Sequence, residues 1–221
     1  MRIYVKTTPN KELVPFNYQS KLTGILHKWI GKNKLHGKPA LYSFSWLLNA
    51  EVNEDGLNYP NGARFFISFY DDMYLKQVVT SILSDTDMCF GMKVRDITIE
   101  EKPDLTNKTL FLCASPIFVR RLDPETNKDI HYTFKDENVG SLLEETLLRK
   151  MELAELQIDE SLKIKFDLSY RKAKTKLINY KGINSRVNLC PVIIEGKPET
   201  KMFAWNVGLG NSTGIGFGAI Y

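Results

Sequence analysis

The sequence predicts an α+β protein of two tandem βαββαβ units that end in a glycine-rich loop. Three observations lead there. Apolar residues are spaced for strand, helix, two strands, helix and strand, and that order then returns once. A length of 221 residues suits two units of about 100 residues each. The closing stretch GLGNSTGIGFGAIY, residues 208–221, puts five glycines where a chain end would otherwise fray.

The elements follow in order. MRIYVKT alternates and reads as a strand. In YQSKLTGILHKWIG, Leu22, Ile25, Leu26 and Trp29 fall at helical spacing, and Gly31 closes the helix. ALYSFSWLLNAEV is aromatic and β-leaning, EDGLNYPNG is turn material, and ARFFISFY is a strand. DDMYLKQVVTSILSD is a helix whose start is favoured by Asp71 and Asp72. MCFGMKVRDITIEEK is extended again, which completes the ferredoxin-like order.

The boundary between the units is expected near Pro103–Asn107, so the units span 1–104 and 105–221. NKTLFLCASPIFVRR reads as one strand and KDIHYTF as a hairpin arm. DENVGSLLEETLLRKMELAEL is a long amphipathic helix, and SLKIKFDLSY alternates. TKLINYKGINSRVNLCPVIIEG makes two strands about a turn near Gly182. KPETKMFAWNVG is a short helix with Met202, Phe203 and Val207 on one side, and GIGFGAIY is a final strand.

Composition narrows the function. No run of about 18 apolar residues is present, so no transmembrane helix is expected. MRIYVKTTPNKELV lacks an apolar core and a cleavage site, so the expected location is the cytoplasm. Cys89, Cys113 and Cys190 fit neither a disulfide framework nor a zinc pattern, and three histidines form no Cys/His cluster. The net charge of +4 is unevenly distributed. Residues 1–40 carry eight Lys/Arg against Glu12, and residues 161–186 carry eight against Asp167. Two such stretches on one face would attract a polyanion.

Familiar phosphate motifs do not fit. GKNKLHGKP has five residues between its glycines and Pro39 after Lys38, where a P-loop needs four residues and a Ser or Thr. GLGNSTG follows a helix rather than a strand, the wrong context for a dinucleotide fingerprint. No G-x-S-x-G elbow is present.

WNVGLGNSTGIGFGAIY, by contrast, resembles the C-terminal glycine-rich loop of the CRISPR-associated repeat-processing endoribonucleases. Gly208, Gly210, Gly214, Gly216, Phe217 and Gly218 carry that resemblance. YQSKLTGILHKWIG resembles the family's first helix, and LHGKPALYSFSWL its following segment. Residues 50–160 match in layout alone.

The resemblance implies an activity and a site. The family cleaves CRISPR precursor RNA within each repeat, without metal or cofactor. The substrate's 2′-OH attacks the adjacent phosphate and leaves a 2′,3′-cyclic phosphate and a 5′-OH. His36 stands at the family's usual histidine position, and His27 at a helical position that carries Tyr or His. Histidine suits either proton role because it titrates near neutrality. Lys38 is expected to stabilise the phosphate, with Lys34 as its alternate and an RNA contact. In some relatives a lysine follows the proline. Here that residue is Ala40, which leaves the role to Lys38, to Lys34 or to a basic residue of the other unit.

Tyr42 and Ser43 are read as ordinary strand residues that also stand where a phosphate would be oriented, and His131 as incidental. Arg171, Lys172, Lys174, Lys176 and Arg186 are expected to grip the RNA from a hairpin. Gly208, Gly210, Gly214 and Gly216 would let backbone N–H groups approach phosphate. The implied partner is repeat RNA, with effector-complex subunits and a second copy of the chain as further partners and no membrane. Two alternatives stay open: a non-catalytic repeat-RNA-binding subunit, and an unrelated RNA-binding module of the same layout.

Overall fold

The computed structural model describes residues 1–31 and 39–221; the expected site residues Lys34, His36 and Lys38 lie outside the described residues. The first unit contains β1 (Arg2–Thr7), α1 (Gln19–Ile30), β2 (Tyr42–Phe44), the short pair β3 (Glu51–Val52) and β4 (Leu57–Asn58), β5 (Arg64–Phe69), α2 (Asp72–Ser84) and β6 (Val94–Glu100). The four main strands form one sheet in the order β2-β5-β1-β6, each neighbour antiparallel. That order is the one a ferredoxin-like βαββαβ unit requires.

Local chemistry explains the two helices. Leu22, Leu26, Trp29 and Ile30 form the buried stripe of α1, which ends at Gly31 in the left-handed region (φ 70°). The Asp71 carboxylate caps α2 by accepting from the Met73 amide at 2.8 Å. Both helices pack on one face of the sheet against Ile3, Val5, Phe65 and Ile67.

The second unit contains β7 (Leu110–Phe111), β8 (Val119–Leu122), β9 (Asp129–Tyr132), α3 (Val139–Leu153), β10 (Lys163–Phe166), β11 (Lys174–Tyr180), β12 (Ile183–Leu189), β13 (Val192–Glu195) and α4 (Pro198–Val207). Its sheet runs β10-β13-β7. Residues 219–221 lie antiparallel beside 112–114: the Leu112 and Tyr221 amides each donate to the other's carbonyl at 3.0 Å. The order of the first sheet is thereby repeated. The hairpin β11-β12 falls between β10 and β13 in sequence, packs Ile178 and Val187 against Phe118 and Phe217, and turns at Lys181 and Gly182, both at positive φ.

Three expectations are corrected. TKLINYKGINSRVNLCPVIIEG carries three strands rather than two, because β12 and β13 part at Cys190 and Pro191. NKTLFLCASPIFVRR is not one strand but β7 and β8, separated at Pro116. There the amides of Ala114 and Ser115 both turn to Ala219 O, and proline has no amide with which to continue a ladder. GIGFGAIY is not a strand along its length. Gly216 (φ 92°) and Gly218 (φ 71°) are left-handed, so only the last three residues pair.

The two largest clusters of buried apolar residues lie one in each unit, and the side chain of Arg2 bridges the units. Its guanidinium lies between the rings of Phe66 and Trp205, 3.7 and 3.6 Å from their centroids. It donates to Ser68 Oγ at 2.7 Å and to the carbonyls of Trp205 and Ile220, each at 2.8 Å. Ser43 Oγ adds a 2.9 Å bond to Asn206 O. Helix α4 is consequently buried almost all round.

Candidate functional site

A cleft of about 460 Å³ opens where α1 and β2 of the first unit face α3 and the segment 210–215 of the second. Pro39 and Ala40 form part of its wall, so the residues expected to carry the chemistry adjoin it in sequence.

His27 reaches the cleft from the last turn of α1, where it is half-buried beside the stripe of Leu26 and Trp29. Its Nε2 lies 3.4 Å from Tyr42 Oη. The Tyr42 hydroxyl also donates to Gly214 O at 3.2 Å. A phenol has one proton, so with that proton on Gly214 O the histidine contact requires a protonated Nε2. Burial pushes the Tyr42 phenol up to about 12, so it remains protonated at neutral pH. A protonated Tyr42 orients the imidazole and anchors the Gly214 carbonyl.

The segment after α4 forms the opposite wall. A Cβ on Gly210 (φ 72°) would run into Phe118 O. A Cβ on Gly214 would sit 2.8 Å from the Ala40 methyl and 3.0 Å from Tyr42 Oη. Glycine is therefore what lets this segment close on the first unit. Among the described residues, the amides of Ser212, Thr213 and Gly214 donate no hydrogen bond. Gly208 and Gly216 are buried away from the cleft, Gly216 against the Phe44 ring, and their place is one of packing.

The second unit supplies three cations to the cleft: Arg120, Arg149 and Lys150. The open assignment of the charge-bearing residue thus gains candidates from the other unit. Arg120 is also paired with Asp129. Lys150 is buried, 5% exposed. Its Nζ donates to Val207 O at 3.2 Å, Gly208 O at 3.3 Å and Thr213 Oγ1 at 3.2 Å. Burial pulls its pKa down to about 7, with no carboxylate to offset the loss of water. Sequence reading missed Lys150, although it left a signal. Lys150 shares the apolar stripe of α3 with Leu143, Leu147 and Met151, an unusual place for a lysine.

The residues expected on the hairpin lie elsewhere, and two of them, Arg171 and Lys172, precede β11 rather than belong to the hairpin. Arg171, Lys172, Lys174, Lys176 and Arg186 are all exposed. None lines the His27 cleft; Lys172 and Lys174 line another of about 390 Å³. Lys174 and Lys176 share a face of β11, and Arg186, opposite Leu177, takes the other face of the hairpin. Lys176 Nζ lies 5.9 Å from the ring of Trp46, whose indole donates to Gly216 O at 2.8 Å. His131 packs edge-on against Phe118 and accepts from the Arg186 amide, so its role is structural. Among the described residues no group of His, Cys, Asp or Glu could hold a metal ion, and no helix is long and apolar enough to cross a membrane.

A family model described as CRISPR associated protein Cas6, C-terminal, matches residues 99–221. No curated protein matches the sequence. Among solved structures, the chain is similar to a Cas6-related protein from Pyrococcus furiosus: 25% identity, TM-score 0.86, with 100% of this chain and 97% of that one covered. A structure described as an RAMP protein binding different RNA substrates gives 22% identity, TM-score 0.85, and coverage of 100% and 98%. One described as CRISPR associated protein Cas6 gives 20% identity, TM-score 0.83, and coverage of 100% and 98%. These last two show a shared fold.

Proposed function

The chain belongs to the Cas6 family of CRISPR-associated proteins, and from that premise we propose that it is a metal-independent endoribonuclease that cuts CRISPR precursor RNA within its repeats. The observation that carries this reading is the cleft between the units. It joins an imidazole, a phenol, three cations and a wall of backbone amides beside the segment that leads from His36 and Lys38.

The chemistry follows from those groups. His36 and His27 share the proton transfers: one takes the proton of the attacking 2′-OH, the other protonates the 5′ leaving oxygen. Lys38, with Lys34 as its alternate and Arg120 or Arg149 across the cleft, offsets the charge that grows on the non-bridging oxygens. The phosphate's negative charge also suits the free amides of 212–214. The products are a 2′,3′-cyclic phosphate and a 5′-OH. Arg171, Lys172, Lys174, Lys176 and Arg186 hold the RNA backbone away from the cut. Gly210 and Gly214 shape the wall against which the RNA lies, while Gly208 and Gly216 pack behind it.

A second reading has one observation behind it. A structural neighbour is described by RNA binding rather than by cleavage, which suits a member that holds repeat RNA as a subunit of an effector complex. One experiment separates the two. Repeat RNA from the host's CRISPR array, incubated with the protein in EDTA, is expected to yield fragments ending in 2′,3′-cyclic phosphate. A 2′-deoxy nucleotide just before the cut should stop cleavage and leave binding nearly intact. Cleavage lost in EDTA and restored by magnesium would overturn the mechanism. Tight binding without any product would favour the subunit reading.

A further inference from the structure

Lys150 is a buried cation to which the reaction just described assigns no step. Its surroundings are specific. An ammonium has three protons, and three acceptors surround it at 3.2, 3.3 and 3.2 Å. Two of these are the carbonyls of Val207 and Gly208, at the C-terminal end of α4, where a positive charge is favoured. The third is Thr213 Oγ1, in the wall of the cleft. The Thr213 hydroxyl lies in turn 3.5 Å from Ala40 O. One chain of contacts therefore runs from α3 through Lys150 and Thr213 to the residue after Pro39.

We propose that Lys150 is a positioning residue for RNA cleavage: its ammonium fixes Thr213 as the donor to Ala40 O and so holds the two walls of the cleft in register. The direction of the Thr213 proton carries the argument. While Lys150 is charged it has no lone pair, so Thr213 accepts from it and keeps its own proton for Ala40 O. A neutral amine has only two protons for three acceptors. It satisfies them by donating to Val207 and Gly208 while Thr213 donates into the nitrogen lone pair. The link to Ala40 is then lost.

Burial makes this switch accessible near neutrality, since Lys150 titrates at about 7. The tie holds below that pH and slackens above it. Among the described residues, the other titratable or charged groups facing the cleft are His27 and Tyr42 of the first unit and Arg120 and Arg149 of the second. The His27 imidazole is removed in the test below, so that its response cannot be mistaken for that of Lys150. The proposal rests on the endonuclease reading for its consequence, though not for its geometry.

The test has an arm that needs no RNA. In the His27→Gln variant, amide resonances of Gly208, Thr213 and Gly214 are followed by NMR from pH 6 to 9. They should share a transition near pH 7 that vanishes when Lys150→Arg is added, because arginine stays charged. If the double variant does not fold, Thr213→Val takes its place. It leaves Lys150 to titrate but should abolish any response of the Ala40 amide. Absence of the transition, its survival in Lys150→Arg, or an Ala40 response that persists in Thr213→Val overturns the proposal.

In the second arm, single-turnover cleavage of the host repeat RNA is measured at saturating protein. Thr213→Val should cut about tenfold slower, the scale of a sub-ångström misplacement, with RNA affinity changed less than twofold. An unchanged rate sinks the positioning role. If the wild-type protein cuts no RNA, the endonuclease reading falls, and the first arm still decides whether Lys150 sets the cleft.

Discussion

His27 and Tyr42 show what single residues gain from being placed. His27 was readable because a histidine beside an apolar helical stripe is conspicuous, and the family pattern puts a functional residue there. Tyr42 was read chiefly as a strand residue, because nothing in a sequence tells that its hydroxyl meets an imidazole 15 positions away. Lys150 was harder still, since its meaning depends on carbonyls 57 and 58 residues downstream. At this scale, His36→Ala should slow cleavage by roughly 10²- to 10⁴-fold, the usual worth of a positioned acid or base. His27→Ala should cost less if it chiefly orients the site. Wild-type rates from both single variants, measured in a single-turnover assay, would mean that the active site has been misplaced.

Elements were legible where one period ran long enough. α1, α2, α3, β1 and β5 follow directly from their apolar spacing. The C-terminal segment was legible as something unusual, but its geometry was not. Glycines were expected to bare the backbone to RNA, whereas Gly210 is held in the left-handed region with Phe118 O where a side chain would go. Gly210→Val should therefore cost folding stability first, by more than ~2 kcal/mol from strain and clash, read as a lowered urea midpoint. The basic residues at and just before the β11-β12 hairpin should behave in the opposite way. Arg171→Ala with Lys174→Ala removes two exposed cations, so folding should be unchanged. The slope of log affinity for single-stranded RNA against log salt should become shallower by about 1.4, at about 0.7 per lost phosphate contact. An unchanged slope would place the RNA elsewhere.

The whole molecule repeats one strand order in two sheets that share no evident sequence identity. That repetition was legible because element order survives when individual residues do not. The junction was not legible: Arg2 read as one more member of a basic N-terminal stretch. It is instead fully buried, between two aromatic rings and bonded to both units. Burial lowers its pKa to about 10, so it stays charged under all ordinary conditions. Arg2→Met should strand the carbonyls of Trp205 and Ile220 without donors. Thermal unfolding should then begin several degrees lower, and two transitions in calorimetry would show the units uncoupled. A single unshifted transition would remove Arg2 from the account of the junction.

The same junction has a temporal consequence. A ribosome makes Arg2 218 residues before Ile220, whose carbonyl it needs. Throughout that interval the first unit can form its sheet, yet its guanidinium and the Phe66 ring face the crowded cell uncovered. Completion arrives only when Trp205 and Ile220 have left the exit tunnel. A nascent chain stalled before Ile220 emerges would therefore present a sticky, cationic face to any RNA or chaperone nearby.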